Sequence, residues 1–162
     1  MVYILCNTTG GPLVSETNDL IKLYSARILA LTADIPHLGR LDGPQASIRK
    51  RSPLCGSTVT VDLDLEGGRV SRFSQEVKAC ALGQAAASVL GGAVLGRSAA
   101  ELEQAAEQLE AMLKRDGPVP DAPFSGFEAL IPAREFKNRH TSILLAVQAA
   151  AEAARQAENP AP

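Results

Sequence analysis

From Thr58 to Leu65 the chain alternates without a break: Val59, Val61, Leu63 and Leu65 fall on one face, Thr58, Thr60, Asp62 and Asp64 on the other. A period of two places successive side chains on opposite sides of an extended backbone. The stretch therefore predicts an antiparallel strand packed on one side and wet on the other. Glu66-Gly67-Gly68-Arg69 follows, and paired glycines accept the positive backbone angles of a tight hairpin turn. Val70 to Ala79 is then the returning arm. Phe73, Val77 and Ala79 share a parity that Val70 does not, which predicts a bulge or a break into two short strands near Ser71 or Arg72. A hairpin with one apolar face needs a second layer over it, and the rest of the chain has to supply that layer.

Helical periodicity supplies it. After Cys80, the residues Leu82, Ala85, Ala86, Val89, Leu90, Ala93 and Val94 form one broad apolar stripe, with small neighbours that allow close packing on a sheet and Gly91-Gly92 as an expected weak point or kink. Ser98-Ala99-Ala100-Glu101 reads as a capping box that opens a helix through Leu113, and Gly117-Pro118 stops it. Pro118, Pro120 and Pro123 make a stiff connection to Phe124, Phe127, Leu130 and Ile131, and a last helix runs from about Arg139 toward Arg155. Ahead of the hairpin, Leu20, Leu23, Tyr24, Ile28 and Leu31 predict a helix of roughly three turns ending before Pro36. Ile35 to Arg51, with Pro36, Gly39, Gly43 and Pro44, reads as one long connection. The expected class is α+β, a small antiparallel sheet of about three strands with helices packed on it. Its expected organisation is a flexible segment over 1–18, one domain over 19–157 and a flexible tail over 158–162.

Lysine plus arginine number 16 and aspartate plus glutamate 18, and the formal charge of -2 gives no reason to expect nucleic acid as a partner. Arg49-Lys50-Arg51 reads as a short solvated basic turn, with steering of an acidic partner as the alternative. Three cysteines at wide, unequal spacing do not make the framework of a small secreted protein, so a reducing cytoplasm is expected. The opening Met1-Val2-Tyr3-Ile4-Leu5-Cys6 lacks the basic start of a secretory signal, Cys6 reads as a bystander, and no stretch has the length of a membrane span.

Cys55, in Ser52-Pro53-Leu54-Cys55-Gly56-Ser57, precedes the first strand, and Cys80 precedes a helix. The dipole and free N–H groups at a helix start favour an anion, which makes a thiolate more available for binding a soft metal or attacking sulfur. A hairpin that goes out and returns can bring the two together. Spacing alone leaves open that both are small buried hydrophobes. His140, in Lys137-Asn138-Arg139-His140-Thr141-Ser142, is a third candidate, whereas His37 has no suggested partner.

The order of these motifs resembles the U-type iron–sulfur cluster assembly scaffolds, the family related to the NifU N-terminal domain. Leu23-Tyr24-Ser25 and Gly39-Arg40-Leu41 carry the likeness first, and it is strongest from Pro53-Leu54-Cys55-Gly56 through Val70-Ser71-Arg72-Phe73 to Ala79-Cys80-Ala81 and Gln84-Ala85-Ala86-Ala87-Ser88. It resumes at Ala133-Arg134-Glu135-Phe136 and Ser142-Ile143-Leu144. The resemblance implies a non-enzymatic scaffold or carrier, with a transient Fe–S cluster or zinc as cargo, a cysteine desulfurase as sulfur donor and apo-proteins as acceptors. It implies ligand positions at Cys55 and Cys80, which would also accept sulfur. The usual aspartate two residues after the first cysteine is Ser57 here, and the third cysteine is missing. One alignment puts Thr141 at the lost cysteine and another puts Ser142 there, so His140 is the expected third metal ligand. The alternatives are a degenerate zinc-binding or metal-free adaptor of the assembly machinery and, further off, a thiol enzyme with Cys80 as nucleophile and His140 as base.

Overall fold

The structure is a computed structural model that describes residues 24–160. The expected flexible start over 1–18 and the first part of the helix expected from near Asp19 lie outside the described residues; within them the helix before Pro36 spans Ala26–Ala33. Three strands form one antiparallel meander, β1 (Ala46–Arg51), β2 (Thr58–Glu66) and β3 (Arg69–Lys78), in the order β1-β2-β3. Asp64 pairs with Arg72 and Leu65 with Val70, so Ser71 is the extra residue of a bulge, at the place where the side-chain phase breaks. β3 nonetheless continues unbroken on both sides of it.

The third strand is β1, inside the stretch expected to be a connection. Ala46 and Ile48 face inward, but the next inward position is Lys50, whose ammonium reaches Glu152 at 2.9 Å, so the apolar alternation is too short to read. Arg49, Lys50 and Arg51 are therefore strand residues and not a basic turn. Three cations in a row on an edge strand oppose pairing with another sheet. The far edge of β3 is covered by hydrogen bonds from Gly39 and Gln75 around His37 at one end and by Val70 with Gly96 and Arg97 at the other.

One residue of the supposedly wet face is buried. Asp62 is fully enclosed and accepts from Arg40 Nε at 2.7 Å, Ser47 Oγ at 2.6 Å and the Leu41 amide at 3.0 Å. Burial alone would raise its pKa, yet the hydrogen bonds from Arg40, Ser47 and Leu41 outweigh that and hold it below the usual carboxylate range. Asp62 thus straps the connection ahead of β1 across the sheet.

Among the described residues there are four α-helices, and the last of them, with the second, packs on the other face of the sheet. α1 (Ala26–Ala33) is capped by Ser25, whose hydroxyl accepts from the Ile28 amide, and it buries Ile28. α2 (Ala81–Ala93) continues through Gly91-Gly92 and ends one residue later. A Cβ on Gly91 would stand 2.8 Å from Gln75 Nε2 and 3.1 Å from the Pro36 carbonyl, so this glycine serves a close approach. α3 (Ala99–Lys114) opens on the capping box, with both reciprocal bonds between Ser98 and Glu101 present. A 3-10 segment (Ser125–Glu135) and a short 3-10 turn (Lys137–Arg139) lead into α4 (His140–Glu158).

α4 is the central element, packed against β1, β2, α2 and α3. Its alanines at 146, 149, 150, 153 and 154 are buried and let Val59, Val61 and Leu63 of β2 come close. Each fully buried Val, Leu or Ile in this layer contributes about 1.5–3 kcal/mol of transfer free energy. No described helix is long and apolar enough to cross a membrane.

Candidate functional site

Once β1 is in place, Cys55 lies in the connection of the β1–β2 hairpin. Ser52 N–H donates to the Ser57 carbonyl at 2.8 Å and Gly56 N–H to the Ser52 carbonyl at 2.8 Å, which closes the turn at its base and leaves Cys55 exposed at its tip. Gly56 adopts a φ of 74°, a conformation an L side chain would strain. Leu54 beside the cysteine is 73% exposed. Cys80 occupies the N-cap of α2 without capping it and is half-buried. The two thiols therefore sit at the same end of the sheet, one on a hairpin tip and one on a helix start.

Between them stand buried hydroxyls. Cys55 Sγ lies 3.1 Å from Ser57 Oγ and 3.4 Å from Ser52 Oγ; Ser142 Oγ donates to Ser57 Oγ at 3.1 Å and lies 3.6 Å from Cys80 Sγ. Ser52, Ser57 and Ser142 are all nearly inaccessible to solvent. Hydroxyl groups of Ser52 and then Ser57, with a smaller contribution from Ser142, stabilise the Cys55 thiolate and lower its pKa to about 7.

Ser142 reaches this position because Gly83 makes room. A Cβ at residue 83 would meet Ser142 Oγ at 2.7 Å, Ala79 Cβ at 2.8 Å and the Ser142 carbonyl at 3.2 Å. Only hydrogen at that position lets α4 cross α2 so closely beside Cys80.

His140 is placed differently. It is buried, and its Nε2 faces the carbonyls of Ala133 at 3.0 Å and Arg134 at 3.1 Å. Carbonyl oxygens only accept, so Nε2 carries the proton and donates to them. Two residues separate His140 from Ser142 on α4, a rotation of roughly 200°, so the two side chains leave the helix on opposite sides. Among the described residues no three of His, Cys, Asp and Glu gather as metal ligands. Nδ1 keeps its lone pair, but on a side chain that leaves α4 away from Ser142, the residue beside Cys80.

The sequence reading reached Cys55, Cys80, Ser57 and, as one of two alignments, Ser142. It missed Ser52 and Gly83. Ser52 carried a signal, a hydroxyl three residues before the thiol in a turn, whereas the need for glycine at 83 arises only from the helix crossing.

This architecture is shared with solved proteins. The crystal structure of the N-terminal part of a nitrogen-fixing NifU-like protein from Brucella abortus matches at 42% identity and a TM-score of 0.85, covering 88% of this chain and 99% of that one. A candidate iron–sulfur cluster assembly scaffold for the SUF system from Fervidobacterium islandicum shares the fold at 18% identity and a TM-score of 0.73, covering 83% of this chain and 98% of that one. A hypothetical protein with a structure at 23% identity and a TM-score of 0.71 shares it over the same fractions. Neither a protein-family model nor a curated protein matches the chain.

Proposed function

The chain belongs to the family of NifU-like N-terminal proteins, and from that premise we propose that it is a scaffold or carrier in iron–sulfur cluster assembly, with Cys55 and Cys80 as its sulfur acceptors and soft metal ligands. The observation that carries this reading is the continuous run Cys55–Ser57–Ser142–Cys80 at one end of the fold. Its thiols suit iron, zinc and sulfane sulfur. Its hydroxyls are neutral and hard, and hold soft metals weakly, so cargo bound here is released readily. An Fe–S cluster needs more ligands than two thiolates, and the balance falls to the serines, to an external thiol or to a second chain. A cysteine desulfurase as donor and apo-proteins as acceptors complete the scheme, as the sequence resemblance implies.

Anaerobic reconstitution with iron and sulfide, followed by absorption spectra and counts of iron and zinc, tests it. The wild type is expected to retain cluster or metal, the double variant Cys55→Ser/Cys80→Ser to lose it, and His140→Ala to retain it. Wild type holding no more metal than the double variant would sink the ligand assignment. Loss in His140→Ala, with folding intact by circular dichroism, would restore the histidine as a ligand.

The serines themselves favour a second reading, an adaptor that docks on the assembly machinery without cargo. Capture of a desulfurase with no cluster passed to an apo-acceptor is its expected signature.

A further inference from the structure

The hydroxyls between the two thiols have a direction. A serine hydroxyl has one proton to give. Ser142 gives its proton to Ser57, so the Ser57 proton is free for Cys55 Sγ, and the Ser142 oxygen is free to accept from the S–H of Cys80. Cys80, Ser142, Ser57 and Cys55 therefore form one continuous path along which a proton can pass between the helix start and the exposed tip.

We propose that this pair reduces the sulfur it accepts: Cys80 resolves a persulfide formed on Cys55, releasing sulfide and closing a Cys55–Cys80 disulfide. The inference rests on the reading above that Cys55 takes sulfur. In the first step the Cys55 thiolate attacks the outer sulfur of a donor persulfide; a bond forms between Cys55 Sγ and that sulfur, the donor S–S bond breaks, and the donor leaves as a thiol. In the second step Cys80 Sγ attacks Cys55 Sγ and the outer sulfur departs with the bonding pair. The Cys80 proton passes through Ser142 and Ser57 toward the departing sulfide, since Ser57 stands against Cys55 Sγ. Donor persulfide plus two cysteine thiols give donor thiol, hydrogen sulfide and one disulfide. The sulfane sulfur gains two electrons and the cysteine pair loses two. A dithiol reductant resets the pair for another round.

The placement of the elements suits the two roles. Cys55 is exposed at the hairpin tip, where a donor can reach it, whereas Cys80 is half-buried and fixed at the N-cap of α2. The approach of one sulfur to the other falls on the tip of the turn, which one backbone bond, Gly56 to Ser52, and the contacts of Cys55 Sγ with Ser52 and Ser57 hold above its base.

The test uses the full chain, reduced, freed of dithiol and kept anaerobic, with glutathione persulfide as donor. Sulfide is measured by electrode, and non-reducing peptide mapping by mass follows the thiols. Wild type is expected to release one sulfide per chain above the protein-free background and to gain the Cys55–Cys80 disulfide. Cys80→Ser and Cys80→Ala are expected to take up one sulfur on Cys55 and stop there. Once loaded with persulfide on Cys55, Ser142→Ala is expected to release sulfide about tenfold more slowly than loaded wild type, the effect of losing one well-placed hydrogen bond in the transfer. Wild type that holds the added sulfur without forming the disulfide would overturn this inference and leave Cys55 as a sulfur acceptor. So would sulfide release from both Cys80 variants at the wild-type rate. If no sulfur reached Cys55 in any variant, the acceptor role would fall and the inference with it.

Discussion

At the scale of single residues, Cys55 and Asp62 are both held toward the anion by neighbouring hydrogen bonds, one exposed to solvent and the other enclosed. Around Cys55, hydroxyls from Ser52 and Ser57 bring an exposed thiol to a pKa of about 7. Because the fold favours the thiolate, its contribution to stability is present above the ordinary thiol value and is lost as pH falls through about 7. The alkylation rate of Cys55 by iodoacetamide is expected to rise through that pH and level off above it, and Ser57→Ala to move the midpoint upward. An unchanged midpoint would show that the hydroxyl does not set the thiol's charge. Around Asp62, donors from Arg40, Ser47 and Leu41 fix a carboxylate that water cannot reach. Asp62→Ala leaves those donors unpaired and is expected to cost about 2–3 kcal/mol in urea unfolding while leaving the Cys55 profile in place.

At the scale of elements, the crossing of α2 and α4 builds the site. Gly83→Ala is expected to destabilise the protein by about 1–3 kcal/mol, since the added methyl group overlaps Ser142 and Ala79. The same substitution should shift Cys55 alkylation to higher pH by displacing Ser142, which separates it from the Asp62 variant. Ser98→Ala, far from the thiols, removes an N-cap and is expected to cost about 1 kcal/mol with no effect on the thiols. The elements most legible in the sequence are those that repeat a physical period without interruption: β2, the stripe of α2 and the capping box of α3. β1 was hidden because a lysine stem fills an inward position that an apolar residue would have marked. The pair Cys55 and Cys80 was legible from a hairpin and a helix start, but the hydroxyl contacts were not, because they depend on where α4 enters. His140 drew attention as the nearest soft ligand in the chain. The helix turn that points Ser142 at Cys80 points His140 at the backbone of the 3-10 segment.

At the scale of the whole molecule, the described site offers two thiols and a cluster requires more, so reconstitution without added small thiols is expected to yield one cluster per two chains. Light scattering with iron analysis on the loaded species checks this, and a loaded species of one chain would contradict it. The site also draws on distant parts of the sequence: the Ser57–Ser142 hydrogen bond joins residues 85 positions apart. An unfolded chain keeps Cys55 but loses the fixed hydroxyl contacts around it, so this thiol reverts to ordinary, slower reactivity at neutral pH. If Cys55 accepts sulfur as proposed, folded molecules are expected to take it up faster than unfolded ones. The rate at which Cys55 reacts in a mixed population becomes a direct gauge of the fraction that has folded.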